Sequence, residues 1–199
     1  MSATHTTLKV LIVEDETLVG IGLKNQLQKL GHTVAGQAAS PGEAIELFEQ
    51  EQVDLVLIDI KLDGADGIEL ARELLKRRPC PMVIVSAYGE KALIDRAVEA
   101  GVFGYLIKPV HDNALEAQIE VAVHRFQEQQ ALRAARDKLQ QDLENRKLME
   151  RAKGILMKRA GLSEDEAHRR LQQESQKRRT PLADLCRRVI ESDEVMSGG

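Results

Sequence analysis

Apolar and polar positions change rhythm along this chain. Up to about residue 110, short unbroken apolar runs alternate with stretches whose apolar residues recur at helical spacing. Leu8 to Val13, Thr33 to Ala38, the run from Leu55 to Ile58 that stops at Asp59, Met82 to Val85, and Gly104 to Ile107 read as strands. Between them, Leu18 to Leu30, Pro41 to Gln50, Ile68 to Lys76 and Lys91 to Ala100 read as helices. Gly31 and Gly101 stop two of these helices, and Ser40-Pro41-Gly42-Glu43 starts another with an N-cap, a first-turn proline and a capping-box glutamate. Apolar runs without alternation suit parallel strands covered on both faces. The regular exchange of strand and helix predicts an α/β domain over 1–120, built on a doubly wound five-stranded parallel sheet.

From Asn113 the rhythm becomes purely helical, with no Gly or Pro before Gly154. Leu115, Ile119, Ala122 and Phe126 form one apolar stripe. Leu132, Leu139 and Leu143 form a second, offset in phase and interrupted by Arg136 and Arg146. A helical pattern of this length predicts a coiled-coil linker over 121–145, the alternative being a solvated helical linker. Residues 146–199 read as a small three-helix all-α domain. It contains the helix through Met149 to Arg159, a break at Gly161, a capping box at Ser163 to Glu166, and a break at Arg179-Thr180 before Pro181 starts the last helix. Leu182, Leu185, Val189 and Ile190 give that helix an apolar face, and Ser192 to Gly199 reads as a frayed end.

Charge divides the same way. The net charge of −4 combines 11 Lys+Arg against 17 Asp+Glu in residues 1–113 with 13 against 6 in residues 145–190. An acidic front and a basic tail imply different partners. Cys80 and Cys186 are far apart in sequence, which argues against a disulfide framework. Met1 to Thr7 has no basic region followed by an apolar core, and no apolar run approaches membrane-spanning length, so a cytoplasmic location is expected.

The chemistry sits at the strand ends. The first apolar run stops at Glu14-Asp15, the third at Asp59, the fourth at Ser86 and the fifth at Lys108. In a parallel sheet these groups converge on one rim, outside the carboxyl ends of the strands. Three carboxylates brought together require a cation, and hard oxygen ligands with room for water favour Mg2+. Magnesium commonly bridges carboxylates to phosphate oxygens, so such a site can host phosphoryl transfer to a carboxylate, with Lys108 and the Ser86 hydroxyl serving two further phosphoryl oxygens. A single Asp after a strand is usually a turn residue. Four suitable groups at strand ends are much less easily explained that way.

Val13-Glu14-Asp15-Glu16, Asp59 with Gly67 downstream, Ser86-Ala87, and Tyr105-Leu106-Ile107-Lys108-Pro109 together resemble the receiver domain of two-component response regulators. That resemblance implies a flavodoxin-like fold, Asp59 as phosphoacceptor for a histidine kinase, and Glu14 and Asp15 as magnesium carboxylates. It further implies that the Lys61 backbone carbonyl completes the metal site, that Ser86 and Lys108 contact the phosphoryl group, and that Ser86 and Tyr105 form the switch. It also implies a cis Lys108-Pro109 bond. Leu62-Asp63-Gly64 departs from the Met-Pro pair of many members, without removing a reacting group.

From charge alone, the basic tail suits nucleic-acid phosphates and a solvated helical surface equally. Aromatic stacking partners are missing from it. Arg151-Ala152-Lys153-Gly154-Ile155-Leu156-Met157, followed by Ser163 to Leu171 and Pro181 to Ile190, resembles the ANTAR domain. That resemblance implies an RNA-binding transcription antiterminator acting on a leader RNA with paired hairpin loops, commonly as a dimer. Arg151, Lys153, Lys158, Arg159, His168 and Arg169 are its candidate RNA-binding residues. His168 stands where an aromatic is frequent, and Ser175 and Cys186 where Ala is frequent. The combined expectation is a phosphoacceptor signalling protein, not an enzyme with metabolite turnover, that forms a homodimer on activation and is not associated with a membrane. Competing readings are a DNA-binding regulator, since helices around Thr180-Pro181 can pass for a helix-turn-helix, and a protein-interaction switch.

Overall fold

The computed structural model describes residues 6–197, with side chains through Val195. The chain forms two compact units, 1–130 and 131–199. Residues 1–5, read above as carrying no leader, and the last two glycines of the expected frayed end lie outside the described residues.

In the first unit, strands β1 (Lys9–Val13), β2 (Thr33–Ala38), β3 (Leu55–Asp59), β6 (Met82–Ser86) and β7 (Gly104–Ile107) pair in parallel in the order β2-β1-β3-β6-β7. Helices α1 (Thr17–Lys29), α2 (Pro41–Gln50), α3 (Gly67–Arg77) and α4 (Lys91–Glu99) lie between them, and α5 (Asp112–Ala160) follows. Successive strand residues point to opposite faces, and the core divides accordingly. Leu11, Val13, Val56, Ile58, Met82 and Ile84 pack against α2, α3 and α4 through residues such as Phe48, Ile68, Ala71 and Leu74. Val10, Ile12, Leu55, Leu57, Val83 and Val85 pack against α1 and the start of α5 through Leu23, Leu27, Leu115, Ile119 and Ala122. Burial on both faces explains why these strands read as unbroken apolar runs.

Two features differ from the sequence reading. The loop after Asp59 contains a small antiparallel hairpin, β4 (Lys61–Leu62) with β5 (Ala65–Asp66), turning at Gly64 with φ of 72°. Two-residue strands are too short to leave a periodicity. The expected frayed end is helical instead: α6 spans Glu164–Arg178 and α7 runs Leu182–Ser197. Asp193 and Glu194 on its last turns accept hydrogen bonds from Arg159 and Arg151, contacts between residues more than thirty apart that no local pattern announces.

In the second unit, the end of α5 packs on α6 and α7 around Ala152, Leu171, Leu185 and Cys186. Ser163 accepts from the Glu166 backbone N–H while the Glu166 carboxylate accepts from the Ser163 N–H, the capping box expected at the start of α6.

Candidate functional site

The order β2-β1-β3 means that the chain leaves β1 toward one edge of the sheet and later returns to β3 on its other side. A crevice therefore opens beyond the carboxyl ends of β1 and β3. Glu14 and Asp15 follow β1, and Asp59 ends β3. Their carboxylate oxygens lie within 4.8 Å of one another. Ser86 ends β6, fully buried, and Lys108 follows β7. The structure thus brings the five rim residues together as the parallel register requires.

Lys108 Nζ donates to Asp59 Oδ2 at 2.6 Å and lies 2.8 Å from Glu14 Oε2. The second contact is close but not directed as a hydrogen bond, so both Glu14 oxygens are buried without a hydrogen-bonding partner. Burial raises the Glu14 pKa, and the neighbouring Asp59 charge adds to that, against the opposing pull of Lys108. Burial works against the charge on Lys108, yet its hydrogen bond to Asp59 and its close ion pair with Glu14 outweigh burial and raise its pKa. One ammonium is set against three carboxylates. The unpartnered Glu14 Oε1, the carboxylate excess and the all-oxygen donor set fit a hard divalent cation.

Lys61 and Tyr105 also reach this rim. The Lys61 backbone N–H donates to Asp59 Oδ1 at 3.2 Å, while its side chain donates to the Tyr88 hydroxyl at 2.8 Å and lies 4.0 Å from the ring centroid. The Tyr105 hydroxyl donates to the Tyr88 backbone carbonyl, and the Tyr88 N–H donates to Ser86 Oγ at 3.1 Å. Tyr88 therefore links Lys61, Ser86 and Tyr105. The sequence reading passed over it, although it is one of two tyrosines and lies two residues beyond Ser86. The Lys108-Pro109 bond is cis.

Gly67, the first residue of α3, lies against the end of β3. A Cβ there would lie 1.8 Å from the Asp59 carbonyl oxygen, and the Gly67 N–H donates to Ile60 O at 2.7 Å. Only glycine permits that approach.

The basic-tail residues are distributed differently from the rim. Lys153 is 7% exposed, its ammonium paired with Glu150 at 2.9 Å and Glu164 at 2.7 Å, which ties α5 to α6. It is a tether here, unlike the surface residue that the sequence pattern suggested. Arg151 pairs with Glu194 and Arg159 with Asp193. Lys158 and Arg169 are exposed, the latter donating to the Asp165 carbonyl, and His168 is half-buried.

A doubly wound sheet with carboxylates and a lysine at its switch point defines a receiver-type α/β domain, followed by a small helical unit. Comparison with known proteins agrees: residues 10–120 match the response regulator receiver domain, and residues 137–190 match the ANTAR domain. The transcriptional regulatory protein PdtaR of Mycobacterium tuberculosis is 39% identical over 184 residues, covering 92% of this chain and 90% of that protein. The chemotaxis protein CheY of Thermotoga maritima is 35% identical over 102 residues, 51% of this chain and 85% of that protein. A solved receiver domain of a modulated diguanylate cyclase from Desulfovibrio desulfuricans superposes with a TM-score of 0.58 at 34% identity, covering 62% of this chain and 99% of that one. The chain belongs to the two-component response regulators that carry a receiver domain and an ANTAR domain. No helix among the described residues is long and apolar enough to cross a membrane.

Proposed function

We propose that this protein is a phosphorylation-gated, RNA-binding antiterminator. The observation that carries the first half is the Lys108 ammonium held between Asp59 and Glu14 Oε2, beside a buried Glu14 Oε1 that has no partner. Asp59 is the phosphoacceptor. A carboxylate oxygen attacks the phosphorus of a histidine kinase phosphohistidine, forming the P–O bond as the P–N bond breaks and the electron pair leaves with the imidazole. Lys108 then turns from the free carboxylate to a phosphoryl oxygen, and the Ser86 hydroxyl donates to another. Glu14, Asp15 and Asp59 would hold magnesium, with the Lys61 carbonyl. When bound, the ion neutralises charge on the phosphoryl oxygens. Ser86 and Tyr105 serve as the switch, and both meet at Tyr88, so a hydroxyl drawn toward the phosphoryl group disturbs the Tyr88 backbone that Tyr105 grips.

The output is dimerisation and capture of a leader RNA carrying paired hairpin loops. Leu132, Leu139 and Leu143 are 72%, 74% and 55% exposed in the single chain, a stripe suited to pairing with a second copy over the 121–145 linker. Pairing raises the effective concentration of one basic tail beside the other. Lys158, Arg169, Arg151 and Arg159 supply phosphate contacts, His168 lines the same unit, and Lys153 positions α6. The protein turns over no metabolite and acts in the cytoplasm.

The test is binding of the full-length protein, at fixed salt, to RNA with two adjacent hairpins and to duplex DNA, with and without magnesium beryllofluoride. RNA-selective binding strengthened by the mimic and lost in Asp59→Ala supports the proposal. A preference for duplex DNA favours a DNA-binding regulator, and weak binding to both that ignores the mimic makes the tail a protein-interaction module.

A further inference from the structure

The three-helix unit contains a cavity of ≈ 450 Å³ bordered by the end of α5, α6 and α7. Its apolar lining includes Ile155, Leu156, Leu171, Leu185 and Val189. Four arginines, Arg159, Arg170, Arg178 and Arg188, border it together with two carboxylates, Glu174 and Asp193. Both carboxylates are engaged: Arg178 donates to Glu174 at 2.9 Å and Arg159 to Asp193 at 2.5 Å. Arg170 and Arg188 are exposed and have no hydrogen bond or ion pair within the described residues. An apolar hollow bordered by four guanidinium groups against two carboxylates matches a ligand with a flat, weakly polar body and an anionic backbone.

We propose that this cavity takes one unstacked nucleotide from a single-stranded RNA loop. The base packs on the aliphatic lining, and the flanking phosphates meet Arg170 and Arg188. The inference rests on the RNA-binding reading above and supplies what that reading lacked, a place for a base in a unit without Phe, Tyr or Trp. Single-stranded RNA is commonly read by bases splayed out of the stack, against side-chain surfaces and guanidinium planes. The volume lies in the range of small-ligand sites, and the arginine fork suits phosphate oxygens. Of these residues, Arg159 is a candidate RNA contact in the sequence, and Arg170, Arg178 and Arg188 belong there to the basic tail that suits nucleic-acid phosphates.

The experiment uses the full-length protein with magnesium beryllofluoride and a two-hairpin RNA carrying 2-aminopurine at each loop position in turn. Wild type should change the fluorescence at one loop position. Arg170→Gln and Arg188→Gln should each weaken binding about tenfold and lower the salt slope by about one. Ile155→Trp, which fills the hollow without removing charge, should abolish the fluorescence change. Arg187→Gln, on the same helix but paired with Asp184, should retain the change. Circular dichroism melting establishes that each variant is folded.

If the wild type binds RNA but Ile155→Trp retains the full fluorescence change, or Arg187→Gln weakens binding as much as Arg188→Gln, the pocket is overturned while the RNA reading stands. Adenosine monophosphate binding as tightly as the RNA would overturn the loop assignment in favour of a free-nucleotide site. Absence of RNA binding by the wild type at low salt would overturn both readings.

Discussion

At the scale of single residues, close approach and burial decide the most. Gly67→Ala would drive a methyl group into the Asp59 carbonyl, a backbone atom that cannot swing aside. The expected cost is about 3 kcal/mol of receiver stability, together with a loss of phosphorylation, measured by urea unfolding and by acetyl phosphate labelling. A melting curve equal to wild type would refute that role. The two thiols make the opposite case, since burial deprives them of chemistry. It pushes Cys80 up to about 12 and raises Cys186 as well. Both should resist a disulfide reagent in the folded protein and react on unfolding, so prompt labelling of either in buffer would count against the packing described.

At the scale of elements, the helix starts carry the local energetics. The Ser163 and Glu166 capping box satisfies two backbone donors at the start of α6, so Ser163→Ala should cost about 1 kcal/mol, read as a lower unfolding midpoint. A midpoint unmoved by the change would mean that packing alone sets this helix.

Asp66 caps α3 through Ile68 N at 2.8 Å and accepts from Arg96 at 2.5 Å. Burial works to raise its pKa, but the Arg96 bond and the backbone N–H outweigh burial and lower it below 3.8. The sign follows. A depressed carboxylate contributes stability above its unfolded pKa and loses it as pH falls through the folded value. Between pH 5 and pH 2 the wild type should therefore lose more stability than Asp66→Asn, which keeps a cap oxygen. With the pair partly exposed to solvent, the difference should be about 0.5 to 1 kcal/mol. Parallel curves for the two proteins would remove the charge from the account.

The elements also mark where the sequence was legible. Pro41 to Gln50 has its start written in Ser40, Pro41 and Glu43 and folds over that span. The hairpin after Asp59 and the last turns of α7 carry no such signal. The first depends on a turn too brief for periodicity, and the second on ion pairs reaching back to Arg151 and Arg159.

At the scale of the whole molecule, the proposed dimer follows from three leucines left in water. Replacing Leu132, Leu139 and Leu143 with serine should leave each unit folded and Asp59 able to accept phosphate. The beryllofluoride-treated protein should then sediment as a monomer. A dimer that persisted would place the pairing surface elsewhere. The sequence by itself determined the strand and helix order and the identity of the rim groups, because burial on two faces and helical spacing are written locally. It also determined that charge is split between an acidic receiver and a basic tail. Only tertiary structure decided which Glu14 oxygen meets Lys108 and which is left without a partner, that Tyr88 joins Lys61, Ser86 and Tyr105, that Lys153 is buried between two glutamates, and that arginines from three helices border one apolar cavity. Those outcomes depend on distances between residues remote in sequence, which no local pattern of side chains encodes.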